Sequence, residues 1–227
     1  MKFENTEVWG FEHALRGARN PLNSWSRSDS HKCNGEDCAM IENGHEPGKC
    51  DNGQFGFCIG ENDMKLAQKL IKAGSEHRKF MRQIFVSVDI TAPLYWIHEM
   101  DTYRIGTTRN SCSFQHKGTS KPFEINDFTL DRCNVQTKNS LSILIDELNR
   151  LRELYLETKD YNYFRLIRQL LPSGYNYKFT WTGNYENILN MVHQRKNHKL
   201  TEWSKDFISW AKTLPYAEEL LFLDEEK

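Results

Sequence analysis

The sequence predicts an α+β fold, a small sheet combined with long helices. Three observations lead there. Residues 139–158 place Leu141, Leu144, Leu148, Leu151 and Tyr155 three and four positions apart with charges between them, the spacing of an amphipathic helix. Two short stretches, QIFVSVDI (83–90) and YKFTWT (177–182), are rich in β-branched and aromatic residues, and Ile84, Val86 and Val88 alternate as a half-buried strand does. The 227 residues are 38% hydrophobic and 12% aromatic, enough for a sizeable core and unlike a disordered chain.

Taken in order, residues 8–25 mix aromatics with Arg16 and Arg19. Residues 26–60 change character: Gly, Asn, Asp and Ser dominate, and the stretch reads as a Cys-rich N-terminal insert within a single domain spanning 1–227. A helix is expected from Asn62 or Asp63 as cap to Gly74 as stop, with Leu66, Leu70 and Ile71 on one face. Thr91-Ala92-Pro93 ends the first strand, and Pro93 suits the first turn of a helix running through LYWIHEMDTYR. After the 139–158 helix comes YFRLIRQLL, stopped at Pro172. Two more helical patterns, NYENILNMVHQR (184–195) and TEWSKDFISWAKTL (201–214), follow the second strand. Trp181, Trp203 and Trp210 read as core or interface residues.

Bulk charge excludes little but informs. Thirty basic and 31 acidic residues give a formal net charge of −1, so nothing in the balance calls for nucleic acid or a membrane surface. No apolar run is long enough to cross a bilayer, and MKFENTEVWG lacks the apolar segment of a secretory signal, so a cytoplasmic setting is expected. There, six cysteines are thiols or metal ligands more readily than disulfides. Cys33, Cys38, Cys50 and Cys58 are spaced C-x4-C-x11-C-x7-C, with His31 and His45 among them. The first pair has a zinc-ligand spacing and the second does not, which leaves a structural zinc and unligated thiols both open.

Two stretches carry the polar chemistry. DTYRIGTTRNSCSFQHK (101–117) packs hydrogen-bonding side chains directly behind an apolar segment; it is a solvated loop or it grips a polar ligand. In RQLLPSGYNYKFTWTGNYENILNMVHQR (168–195), Asn184 and Arg195 lie eleven residues apart, within about 20° of three full helical turns, so both can project from one face. Arginines aimed at one pocket suit a phosphate or a polar heterocycle; otherwise they are surface residues. The basic run HQRKNHK (193–199) fits a helix C-terminus, where cations complement the dipole.

The second stretch resembles the C-terminal part of the flavin-dependent thymidylate synthases: Arg168, Pro172, Asn184, Asn190 and Arg195 reproduce that family's spacing. The likeness implies that Arg168 and Arg195 hold a dUMP-like nucleotide, with Arg195 also catalytic, and that Asn184, Asn190 and His198 contact FAD. Glu186 stands where the family usually has arginine. Upstream, His77, the following strand, Ala92-Pro93 and the next helix match the segment leading to the family signature, with Glu99 where glutamine is common.

The 101–117 run is then a divergent signature. Tyr103-Arg104 stand for His-Arg, Thr102 replaces an arginine, Asn110 and Ser113 match, Ser111 replaces a glutamate, Gln115 replaces the last arginine, and Arg109 is new. The resemblance assigns His77, Thr102, Tyr103, Arg104 and Asn110 to the cofactor, and Glu99, Ser111, Ser113 and Gln115 to the substrate. It further implies NADPH and methylenetetrahydrofolate as co-substrates and a homotetramer. Two rivals stay open: a nucleotide-binding protein on this fold without catalysis, and a zinc-stabilised interaction module.

Overall fold

The computed structural model describes residues 1–32, 56–131 and 133–223, without the His116 side chain. The fold is α+β. A four-stranded sheet has the order β1-β4-β6-β5, formed by Lys2–Trp9 (β1), Phe85–Pro93 (β4), Asn176–Asn184 (β6) and Thr108–Ser111 (β5). A separate antiparallel pair, His31–Lys32 (β2) with Phe57–Cys58 (β3), joins two points within the 26–60 stretch. Cys33, Cys38 and Cys50 lie outside the described residues; Cys58 is buried in β3. Among the described residues no group of His, Cys, Asp and Glu is placed to hold a metal ion, and no helix is long and apolar enough to cross a membrane. By internal contacts the chain divides into two compact units.

Unit 1 comprises residues 1–2, 89–102 and 109–180. Its core is a helical hairpin of Val135–Thr158 (α5) and Tyr161–Leu170 (α6). Leu148, Leu151, Phe164 and Ile167 pack with Phe114, Phe123 and Phe128, while Leu141, Leu144 and Tyr155 are partly buried. Helix α5 starts four residues before the expected 139. Asn134 caps it by accepting the Thr137 backbone N–H at 2.8 Å, which supports a first turn that buries nothing. Lys159, with φ 60, ends it, and Asp160 caps α6 through the Asn162 N–H. The helix after Pro93 covers Leu94–Met100 (α3), with Pro93 at the cap position rather than in the first turn. Phe114–Lys117 (α4) follows β5.

Unit 2 comprises residues 3–88, 103–108 and 181–227. It holds Phe11–Arg19 (α1), Glu61–Lys72 (α2), Tyr185–Arg195 (α7), Ile208–Ala211 (α8) and Ala217–Leu220 (α9). Trp203 and Phe207 are fully buried here, and Trp181 and Trp210 nearly so, as expected of core residues. Gly10 has φ 100, and a Cβ there would meet the Gln83 carbonyl oxygen at 2.1 Å, so only glycine lets α1 begin so close to that backbone.

Helix α2 departs from expectation in an instructive way. Neither Asn62 nor Asp63 caps it. Asp29 does, from over thirty residues upstream, accepting the Asn62 and Asp63 N–H groups at 2.8 and 3.1 Å. Asp63 is instead 1% exposed and takes hydrogen bonds from Ser28, Ser30 and Arg19 Nε. The expected 201–214 helix is also modified: Glu202–Phe207 winds as a π-helix before α8 resumes the α-helical pattern.

Candidate functional site

A cleft of about 350 Å³ opens in unit 1, lined by residues of α3, β5, α4, α6 and β6. It lies at the low end of the range typical of small-molecule sites. Strand β5 is exposed along its whole length, and it brings Arg109 and Ser111 to the wall beside Cys112 and Ser113. The Cys112 N–H donates to the Lys178 carbonyl at 2.9 Å, fixing this wall against the chain of β6. Phe114 is buried beneath, and Gln115 follows it on α4. Arg168, at the end of α6, places its guanidinium 5.5 Å from the Phe114 ring centre and has no acidic partner among the described residues. Arg109 lies 5.5 Å from the Phe179 ring centre, with Nη1 donating to Asp101 at 2.6 Å. Burial holds the Tyr177 hydroxyl above its ordinary pKa, with the Arg168 charge pulling the other way. The wall therefore offers a neutral phenol, two hydroxyls, an amide and two guanidinium groups.

Of the residues expected to bind substrate, Ser111, Ser113, Gln115 and Arg168 line this cleft. Glu99 belongs to unit 1, is half-buried, and does not line it. The Thr102 hydroxyl donates to the Glu99 carbonyl at 2.7 Å, closing the end of α3. Asn110 is exposed on β5.

Unit 2 builds a second polar cluster around α7. Arg195, in its last turn, donates from Nε to the Tyr103 hydroxyl at 2.9 Å. Its guanidinium lies 4.9 Å from the Trp203 ring centre and 5.5 Å from that of Tyr103. Tyr103 in turn donates to Gln194 Oε1 at 2.7 Å. The cation thus lies against two aromatic rings that meet edge-on, with a hydrogen bond setting its plane.

At the other end of α7, Asn184 is not on a helical face with Arg195. It is the cap: its side chain accepts the Asn187 N–H at 3.0 Å, Asn187 accepts the Asn184 N–H at 3.1 Å, and Asn187 Nδ2 reaches the Ile105 carbonyl at 2.9 Å. Asn190 accepts from an Arg78 Nη2 at 3.2 Å. His198 accepts the Leu200 N–H on Nδ1 at 3.2 Å, while His77 and Arg104 are exposed.

Sequence reasoning missed Arg78 and Asp101. Arg78 Nε bonds both oxygens of buried Glu186, at 3.1 and 3.0 Å. A signal existed, since a glutamate where the family carries arginine calls for a compensating cation, and Arg78 directly follows His77. Arg78 and Glu186 lie 108 residues apart, and no local pattern joins them. Asp101 was read only as part of a polar run, although it orients Arg109.

No family model matches the sequence, and no curated protein matches it significantly. Solved structures do. A flavin-dependent thymidylate synthase from Helicobacter pylori complexed with FAD and dUMP is similar over the whole of both chains, with a TM-score of 0.66 and 16% identity. A second structure of that enzyme with FAD and dUMP is similar over 99% of this chain and 98% of that chain, with a TM-score of 0.68 and 16% identity. The class the fold defines is therefore the α+β fold of the flavin-dependent thymidylate synthases.

Proposed function

We propose that the protein is a flavin-dependent enzyme of the thymidylate synthase type, acting on dUMP or a similar pyrimidine nucleotide. Methylenetetrahydrofolate would give the carbon, and NADPH would reduce the flavin. The observation that carries this reading is the unit 1 cleft. It gathers Arg168, Ser111, Ser113 and Gln115 on a chain similar end to end to enzymes solved with FAD and dUMP.

The residues fit FAD. Glu186 alone would oppose an anionic dinucleotide, but Arg78 neutralises it and holds Asn190 at the same time. Asn184, Asn190, Tyr103, Arg104 and His198 supply donors and acceptors suited to a heterocycle with carbonyl edges. His77, Thr102 and Asn110 complete the proposed set. When bound and reduced, the flavin supplies hydride.

The chain's own part is binding and electrostatics. Arg168 holds the nucleotide as a point of positive charge on the cleft rim. Arg195, pre-oriented by Tyr103 and Trp203, stabilises negative charge developing at the pyrimidine carbonyl. Ser111, Ser113 and Gln115 bind the substrate, and Glu99 of α3 belongs to the same proposed set. The same reading carries a homotetramer in the cytoplasm.

The test is the visible spectrum of the purified protein after incubation with FAD and desalting, followed by product analysis with dUMP and the co-substrates. A retained flavin spectrum and a methylated product support the proposal. No flavin retained after that incubation sinks it. Retained ligands without product favour a nucleotide binder lacking catalysis, a reading that the replaced charges at Thr102, Ser111 and Gln115 keep in view.

A further inference from the structure

We infer that Arg109 is a second anion-binding arginine of the unit 1 cleft, acting with Arg168 on the phosphate of a nucleoside monophosphate. This rests on the nucleotide reading above. Both guanidinium groups border one cavity of about 350 Å³. Each is steadied by an aromatic ring, Phe179 for Arg109 and Phe114 for Arg168, at 5.5 Å from the ring centre. A phosphate monoester carries close to two negative charges, and two planar forks can meet it with parallel charge-assisted hydrogen bonds.

Asp101 does not exhaust Arg109. Their contact engages one nitrogen, Nη1, at 2.6 Å, and among the described residues Nε and Nη2 donate no hydrogen bond. The pair is also open to water, with side chains 34% and 49% exposed. An ion pair so exposed contributes little to stability, so holding the fold together is not what Arg109 supplies. Asp101 instead aims the guanidinium and leaves Nε and Nη2 available in a cleft that Ser111 and Ser113 also line.

Titration calorimetry with dUMP and with deoxyuridine, on the unaltered protein and on Arg109→Gln and Asp101→Asn, tests this. In Arg109→Gln, dUMP affinity is expected to fall roughly ten- to hundredfold while deoxyuridine affinity stays within about twofold. Asp101→Asn is expected to keep dUMP bound, because the guanidinium remains. Unchanged dUMP affinity in Arg109→Gln overturns the inference and leaves the nucleotide reading standing. Equal losses for dUMP and deoxyuridine overturn it too, since that marks local collapse and not phosphate recognition. An Asp101→Asn protein that loses dUMP and deoxyuridine alike shows that the ion pair is structural and likewise overturns it. If the unaltered protein does not bind dUMP, the nucleotide reading fails first and the inference with it.

Discussion

At the scale of single residues, orientation separates the cations. Arg195 is not simply a half-buried positive charge. Tyr103 fixes its Nε, and the Trp203 ring lies 4.9 Å beneath it. Trp203 is fully buried, so that shelf is part of the core and does not move with the surface. Lysine at this position keeps the charge and loses both the planar fork and the stacking. Arg195→Lys should therefore leave the melting temperature near that of the unaltered protein and lower turnover of dUMP roughly a hundredfold, the loss seen when a pre-aimed donor is removed from a developing negative charge. The measurement is product formed per enzyme by chromatography. Turnover within about threefold of the unaltered protein would remove Arg195 from the chemistry. Arg78 and Glu186 show the same logic between two side chains. The buried Glu186 charge is balanced by an arginine 108 residues away in the sequence.

At the scale of elements, the cap of α7 has a structural part and a proposed part in flavin binding. Asn184 Oδ1 takes the Asn187 N–H, and its Nδ2 faces Gly106, where a Cβ would lie 3.6 Å away. The two atoms can be separated by substitution. Asn184→Asp keeps the capping acceptor and discards the amide donor, whereas Asn184→Ala discards both. Alanine is expected to cost about 1 kcal/mol of stability and aspartate close to none. Both should weaken flavin binding if the amide touches the cofactor. Thermal melting beside a flavin titration reads the two effects independently, and a flavin affinity unaltered in both variants would confine Asn184 to capping. The elements legible in the sequence were those with a long apolar rhythm. Helix α5 shows Leu148 and Leu151, and β4 alternates Val86, Val88 and Ile90, all buried. Strand β5 was illegible because all four of its residues are exposed and leave no hydrophobic pattern. Strand β1 was missed for a related reason, as none of its residues is fully buried. The cap of α2 was misplaced because Asp29 reaches it through tertiary structure. The polar wall of the cleft was legible as a cluster of residue types, but Asp101, which aims Arg109, was not, and neither was Arg78, the partner of Glu186 in unit 2.

At the scale of the whole molecule, charge balance and one buried ion pair set the response to acid. With a net charge near zero, general self-repulsion is small at neutral pH and stability there depends on specific groups. Asp63 is such a group in unit 2. Burial alone would raise its pKa, but hydrogen bonds from Ser28, Ser30 and Arg19, with the Arg19 charge, hold it below its ordinary 3.8. A carboxyl depressed on folding adds stability above its unfolded value and loses it as pH falls through the folded one. The unaltered protein should therefore keep this contribution down to the ordinary carboxylate range and shed it in more acidic solution. Asp63→Asn leaves Arg19 buried without its counter-ion, which should cost about 3–5 kcal/mol at neutral pH and flatten the acid slope. Tryptophan fluorescence is the suitable probe. Trp9, Trp25, Trp181, Trp203 and Trp210 all belong to unit 2, and Trp96 alone to unit 1. Acid titration of both proteins should show an earlier, shallower fluorescence transition in the variant. Coincident curves would mean that the Arg19–Asp63 pair contributes nothing net, its desolvation cost cancelling its attraction.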